Sequence, residues 1–201
     1  GTYSFEVASG NKTIKFKNSP ISRIGFSIFG IPHIGLRLRA RKIMANFPTI
    51  AIDRMLDAGC GSGKYSIPLK MRGFEVIGAD VSHEALKMAV EGSIRRELEI
   101  KFLAAEICHL PFKDGSFDVV WCYGVLGHLM SDERKLAISE FSRLLRSGGS
   151  LFMEVFGEED MRYGGIEVEY NTFKRKNGLI YHYFNKDELA GLIDGFSCRI
   201  I

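Results

Sequence analysis

The stretch Leu56-Asp57-Ala58-Gly59-Cys60-Gly61-Ser62-Gly63-Lys64 limits this chain more than any other. It follows a short apolar run and precedes a helix-like segment, with glycines alternating at 59, 61 and 63. Glycine lets the backbone turn with positive φ and lets a ligand lie against bare main chain. A turn of this kind leads into a helix whose first N–H groups are free and whose dipole end is positive, which suits a carboxylate or phosphate. The next apolar run, Phe74–Ala79, ends in Asp80. An acid at such a strand end can accept both hydroxyls of a ribose. Glycine turn and strand-end acid together point to a cofactor that contains adenosine.

Spacing separates the candidate turns. A phosphate-binding P-loop requires G-x-x-x-x-G-K-[ST]. Here Ala58 stands where the first glycine belongs, and Tyr65 follows Lys64. A dinucleotide fingerprint requires G-x-G-x-x-G. Its third glycine falls on Lys64 when counted from Gly59 and on Ser66 when counted from Gly61. The pattern that remains is D-x-G-x-G-x-G. On these residues Leu56–Gly63 resembles motif I of the class I S-adenosylmethionine-dependent methyltransferases, and Asp80 matches that family's ribose-binding acid.

The resemblance continues in order along the chain. Ala105-Glu106-Ile107-Cys108-His109-Leu110-Pro111-Phe112 looks like the family's adenine loop, with Glu106 where Asp is usual. Ser116–Val120 is similar to its fourth strand, and Tyr123–His128 to the segment after it. Leu144-Leu145-Arg146-Ser147-Gly148-Gly149 matches the turn before its fifth strand, with Ser147 in place of Pro. The match spans roughly residues 52–156 and looks nearest to the small-molecule branch typified by ubiquinone and menaquinone biosynthesis. It implies S-adenosyl-L-methionine as cofactor, S-adenosyl-L-homocysteine as product, and a small, partly apolar methyl acceptor.

Bulk properties agree with one α/β domain. The chain has 201 residues, of which 46% are hydrophobic, enough for a substantial core. Its formal charge of +3 is too small to imply a polyanionic partner, so a nucleic-acid methylase is the weaker alternative. A non-catalytic protein that keeps the fold is the other. Cys60, Cys108, Cys122 and Cys198 form no C-x-x-C pair and read as reduced thiols of a cytoplasmic protein. The histidines have no metal-ligand spacing, and no metal is expected.

Residues 1–47 read as an N-terminal hairpin and lid helix ahead of a methyltransferase domain over 48–201. No signal peptide is visible. Tyr3, Phe5 and Val7 alternate with polar residues, as do Ile14 and Phe16, a β-hairpin pattern. The apolar run 21–36 is too short and interrupted to span a bilayer. Leu36, Ala40, Ile43, Met44 and Phe47 form one helical stripe flanked by Arg37, Arg39, Arg41 and Lys42. Two readings stand for it: a helix packed on the sheet, or a peripheral contact with a membrane or lipid-like substrate.

From Arg54 apolar runs alternate with helical segments, the pattern of a doubly wound, mostly parallel Rossmann-like sheet flanked by helices. Strands are expected near 54–58, 74–79, 99–104, 117–123 and 150–156, and helices near 62–72, 82–96 and 131–146. Pro68 predicts a kink or late start in the first helix, and Ser82 and Ser131 are candidate N-caps. Residues 157–184 read as an antiparallel hairpin insertion after strand five. In it Ile166, Val168 and Tyr170 face Leu179, Tyr181 and Tyr183 across an Asn177-Gly178 turn. A short helix capped by Asn185 and a sixth strand from Ser197 follow. The resemblance implies an antiparallel seventh strand beside the sixth, and the expectation is that another segment covers that edge or that the chain is truncated.

Methyl transfer from a sulfonium is an in-line displacement, so orientation supplies much of the acceleration and the protein need not provide a nucleophile. The resemblance assigns Asp57, Ala58, Gly59, Cys60, Gly61 and Gly63 to the methionine and ribose end, and Asp80 to the ribose diol. It assigns Val81, Glu106 and Ile107 to the adenine and Tyr123 to the methionine tail. His128 is the candidate catalytic residue, read either as a general base or as a packing residue at a helix start. Both insertion and N-terminal segment are expected to meet over the carboxyl ends of the strands, where open α/β sheets bind ligands, with Phe26, Phe29, His33, Tyr170 and Tyr181 as walls of the acceptor pocket.

Overall fold

The computed structural model describes residues 2–8, 53–194 and 196–200. The main sheet contains β1 (Thr2–Ala8), β2 (Arg54–Ala58), β3 (Glu75–Asp80), β4 (Lys101–Ala104), β5 (Phe117–Tyr123), β6 (Leu145–Phe156) and β10 (Ser197–Ile200). Its order is β10-β1-β6-β5-β2-β3-β4, and the five strands from β6 to β4 are parallel. The chain runs outward from β2 through β3 to β4, then crosses back to β5 and β6. The reversal leaves a crevice between β2 and β5 at their carboxyl ends, the place where such sheets take ligands.

Central strands buried on both faces carry almost unbroken apolar runs. In β5, Phe117, Val119, Val120, Trp121 and Cys122 are all buried, as are Met55, Leu56 and Ala58 in β2. One face packs Leu56, Val120, Cys122, Leu151 and Met153 against α3 (Ser131–Leu144) and α4 (Lys186–Leu192). In α3, Arg134, Ala137, Ile138, Phe141 and Leu144 form the buried stripe. The other face packs Met55, Val119, Trp121 and Phe152 with Leu69 of α1 (Ser66–Lys70).

Helix boundaries follow local chemistry. The glycine turn continues to Tyr65, and α1 is short, with Pro68 in its first turn, where the missing N–H costs nothing. Helix α2 (His83–Ile94) is capped by Ser82, whose hydroxyl accepts from the Ala85 N–H at 3.2 Å. Helix α3 is capped one residue earlier than expected. Met130 is its N-cap, and Glu133 accepts from the Met130 N–H at 2.8 Å. Asn185 caps α4 by accepting from Glu188 N–H at 2.8 Å.

Three departures from the sequence reading have physical causes. Strand β6 begins directly after α3, with Arg146–Gly149 forming an irregularity in it and Gly148 at φ +78°. The insertion has three strands, β7 (Ile166–Glu169), β8 (Thr172–Lys174) and β9 (Ile180–His182), in the order β7-β8-β9. Strand β7 therefore pairs with β8, not with the Leu179–Tyr183 run. Asn171 makes the first turn possible by taking φ +53°, a conformation asparagine tolerates. Finally, β1 lies antiparallel between β6 and β10, the position in which a seventh strand was expected. The rest of the expected lid, residues 9–47, lies outside the described residues.

Asp118 ties the start of β2 to β5 and β6. Its Oδ2 accepts from the Asp53 and Arg54 N–H groups at 2.8 Å each, and its Oδ1 meets the Arg146 guanidinium. Burial alone would raise this carboxyl, but the Arg54 N–H, Arg146 and the Asp53 N–H outweigh it and hold it below the usual range. A depressed carboxyl stabilises the fold above its unfolded value and loses that contribution as pH falls through its folded value. Asp118→Ala should therefore cost about 2–3 kcal/mol in urea unfolding at pH 7, and the gap to wild type should narrow toward pH 3.

Candidate active site

The glycine turn is fastened to the end of β3. Gly59 and Cys60 donate their N–H groups to the Ala79 carbonyl at 2.8 and 3.0 Å. Gly59 has φ +75°, and a Cβ there would stand 2.3 Å from Cγ2 of Val125, so only glycine lets the turn close on the segment after β5. Gly61 has φ +52° and faces open space. Its N–H donates to Oδ2 of Asp80 at 2.7 Å, while Oδ1 of Asp80 accepts from the Ser82 N–H at 2.9 Å. Each oxygen keeps a further lone pair for a ligand.

These pieces border a cavity of 520 Å³, within the usual range for small-ligand sites. Of the residues singled out in the sequence, Gly59, Asp80, Val81, Glu106, Ile107, Tyr123 and His128 line it. Val81 is 63% exposed, an apolar side chain on offer to a flat partner. Ala58, Cys60 and Gly63 are buried behind the turn and do not line the cavity, and neither does Gly61. Cys108, Gly124, Val125, Leu129 and Glu133 also line it and were not singled out as ligand contacts. Gly124 and Val125 directly follow the carboxyl end of β5, so their position after a central strand was the available signal. Cys108, Leu129 and Glu133 come from loop and helix packing that no local pattern encodes. Among its described lining residues are Asp80, Glu106 and Glu133, and none of them is a lysine or arginine. A larger groove of 770 Å³ between α3 and α4 includes none of the expected site residues.

Asp57 lies beneath this site at the end of β2. It is 1% exposed and accepts from the hydroxyl of Ser66, itself fully buried, at 2.5 Å. Burial pushes its carboxyl up to about 7. The Ser66 hydroxyl and N–H pull the other way, and repulsion from Asp80 adds to the rise. A cation arriving above it would draw Asp57 back to the carboxylate. Burial likewise pushes up the Cys60 and Cys122 thiols, with Asp57 adding to both, so neither is a poised nucleophile.

The insertion reaches the site through His128. This residue ends the single-turn helix Leu126–His128 after β5, and its Nδ1 lies 2.8 Å from the Ile180 carbonyl of β9. Its ring meets Tyr181 edge-on at 4.8 Å and Phe156 at 5.7 Å between centroids. A buried polar network holds β7–β9 in place. Glu169 accepts from the Ser131 N–H at 2.9 Å, and Arg134, 4% exposed, lies 3.8 Å from Glu169 and 3.6 Å from Glu188. His182 bridges Glu188 at 2.9 Å and Thr172 at 2.8 Å. Of the expected pocket walls, Tyr170 is 70% exposed, and neither it nor Tyr181 lines the cavity. Phe26, Phe29 and His33 lie outside the described residues. Among the described residues no cluster of three metal-ligating side chains occurs, and no helix is long and apolar enough to cross a membrane.

Comparison with known proteins adds a family. Residues 56–153 match the family model described as a methyltransferase domain. The demethylmenaquinone methyltransferase of Thermus thermophilus is 37% identical over 150 residues, which is 72% of this chain and 61% of that protein. The 27-O-demethylrifamycin SV methyltransferase of Amycolatopsis mediterranei is 31% identical over 118 residues, 57% of this chain and 43% of that one. The crystal structure of an S-adenosylmethionine-dependent methyltransferase from Methanosarcina mazei superposes with a TM-score of 0.66 at 29% identity, covering 75% and 81% of the two chains. The chain spans from about a third to three-fifths of the length of the curated relatives it matches.

A buried carboxyl raised above its unfolded value makes the fold less stable as pH climbs from the ordinary carboxylate range toward 7. Asp57→Asn keeps an acceptor for Ser66 and removes the charge. It should unfold at a higher temperature than wild type at pH 8, by up to about 4 kcal/mol in stability, and at nearly the same temperature at pH 4. Equal midpoints at pH 8 would show that Asp57 is not destabilised by its burial.

Proposed function

We propose, for a chain that belongs to the class I S-adenosylmethionine-dependent methyltransferases, that it moves the methyl group to a small, partly apolar acceptor in the cavity between Gly59 and His128. The observation that carries this reading is the acid-lined cavity at the sheet's switch point. The donor is a sulfonium cation that also bears an ammonium group, and a cavity edged by Asp80, Glu106 and Glu133 with Asp57 beneath it suits a cation. The names of the two curated relatives, both methyltransferases of small molecules, support the same acceptor class.

The residues fit the cofactor. When bound, S-adenosyl-L-methionine supplies an electrophilic methyl group. The two oxygens of Asp80, already aligned by Gly61 and Ser82, accept the ribose hydroxyls. The exposed side chain of Val81 covers one adenine face, with Glu106 accepting from the adenine amino group and the Ile107 N–H donating to the ring. Gly59 and Tyr123 border the methionine end, and Asp57 answers its ammonium group from below. Ala58, Cys60, Gly61 and Gly63 serve through main-chain shape. Residues 157–184 back the acceptor side through the contact of Tyr181 with the ring of His128, which itself lines the cavity. The free thiols of Cys60, Cys108 and Cys122 suit a reducing, cytoplasmic setting. The formal charge of +3 and the acidic cavity both disfavour a nucleic-acid substrate.

Calorimetric titration with S-adenosyl-L-homocysteine tests the cofactor assignment. Asp80→Ala should weaken binding about 10- to 100-fold, the scale of one or two hydrogen bonds to a charged group. Unchanged affinity would remove Asp80 from the ribose. Transfer of labelled methyl from the donor to any member of a panel of phenols, alcohols, amines and thiols tests the activity itself.

A further inference from the structure

Among the described residues, one imidazole lines the cavity, that of His128. Its Nδ1 stands 2.8 Å from the Ile180 carbonyl oxygen. A carbonyl oxygen only accepts, so Nδ1 carries the hydrogen. In the neutral ring Nε2 then holds the lone pair. Tyr181 and Phe156, both edge-on, set the plane of the ring.

We infer that His128 is the general base of the transfer, that the Ile180 carbonyl positions it and selects its tautomer, and that the acceptor therefore attacks through a hydroxyl or N–H group. The inference rests on the methyl transfer proposed above. Nε2 takes the acceptor's proton while the acceptor's lone pair forms the bond to the methyl carbon. The carbon–sulfur bond breaks with its electron pair remaining on sulfur, so the sulfonium becomes a neutral thioether. The imidazolium then gives its proton to water. An acceptor such as a thiolate, which sheds its proton to solvent beforehand, gains little from this residue.

His128→Asn provides the test, because the asparagine amide nitrogen replaces Nδ1 and keeps a donor for Ile180 while nothing replaces Nε2. The variant should bind S-adenosyl-L-homocysteine within about twofold of wild type. Its kcat on hydroxyl or N–H acceptors should fall roughly 10²- to 10⁴-fold, with KM for the donor little changed. Turnover of such an acceptor at the wild-type rate would overturn the inference. A long-range ¹H–¹⁵N spectrum of the wild-type protein gives a second readout that needs no variant and no acceptor. It should show the Nδ1–H form of His128, and an Nε2–H form would overturn the inference. Wild-type protein that moves methyl to no acceptor at all would instead overturn the proposed function, whatever the spectrum shows.

Discussion

Asp80 holds the glycine turn with one oxygen and the start of α2 with the other. Those two bonds bring the ends of β2 and β3 into one register with the helix that follows, and they do so with a group that still has lone pairs to offer. The Ala79 carbonyl closes the other side of the turn through Gly59 and Cys60. The cavity floor is thus built from main chain and one carboxylate, all on short connections, before any side chain of the insertion takes part. Such a floor is set in advance of a ligand, and preorganisation of this sort reduces what binding must order.

The central sheet was legible from sequence because its strands are buried on both faces. Arg54–Ala58 and Phe117–Tyr123 form strands with the boundaries expected of continuous apolar runs. Asp57 and Asp80 could be placed at strand ends for the same reason. What was not legible depended on contacts distant in the chain or on unusual backbone. Asn171 carries a left-handed turn with none of the glycine signal that marks Asn177-Gly178, and the pairing of the insertion was misassigned as a result. The walls supplied by Cys108, Leu129 and Glu133 arise where the loop after β4 packs against α3, as in the contact of the Cys108 thiol with the Glu133 carbonyl at 3.3 Å. No local spacing records such a meeting.

The insertion acts on the site through a main-chain atom. Because His128 meets the carbonyl of residue 180 and not its side chain, the contact survives almost any substitution there provided β9 keeps its place. That place is secured by Arg134, Glu169, His182 and Glu188, where the buried Arg134 guanidinium lies between two carboxylates that its loss would leave without their shared cation. Outward-facing residues of the insertion are free to vary under this arrangement. Ile166, Val168 and Leu179 are exposed and outside the network.

Strand β1 has a consequence for how the chain assembles. It joins residues far apart in the numbering, Ala8 beside Ser150 and Phe5 beside Ile200, and among the described strands β10 pairs with the main sheet only through it. The parallel strands from β2 to β6 can nucleate by successive neighbouring crossovers, each closing a modest loop. The β1–β6 pair must wait until β6 is in place and then meet the entropy of a closure far longer than any between the parallel strands. The first strand in the chain is therefore among the last to dock, and β10 follows it. During that interval the far edge of β6 exposes a row of unpaired amide and carbonyl groups, the window in which a nascent molecule of this protein is most open to pairing with another chain.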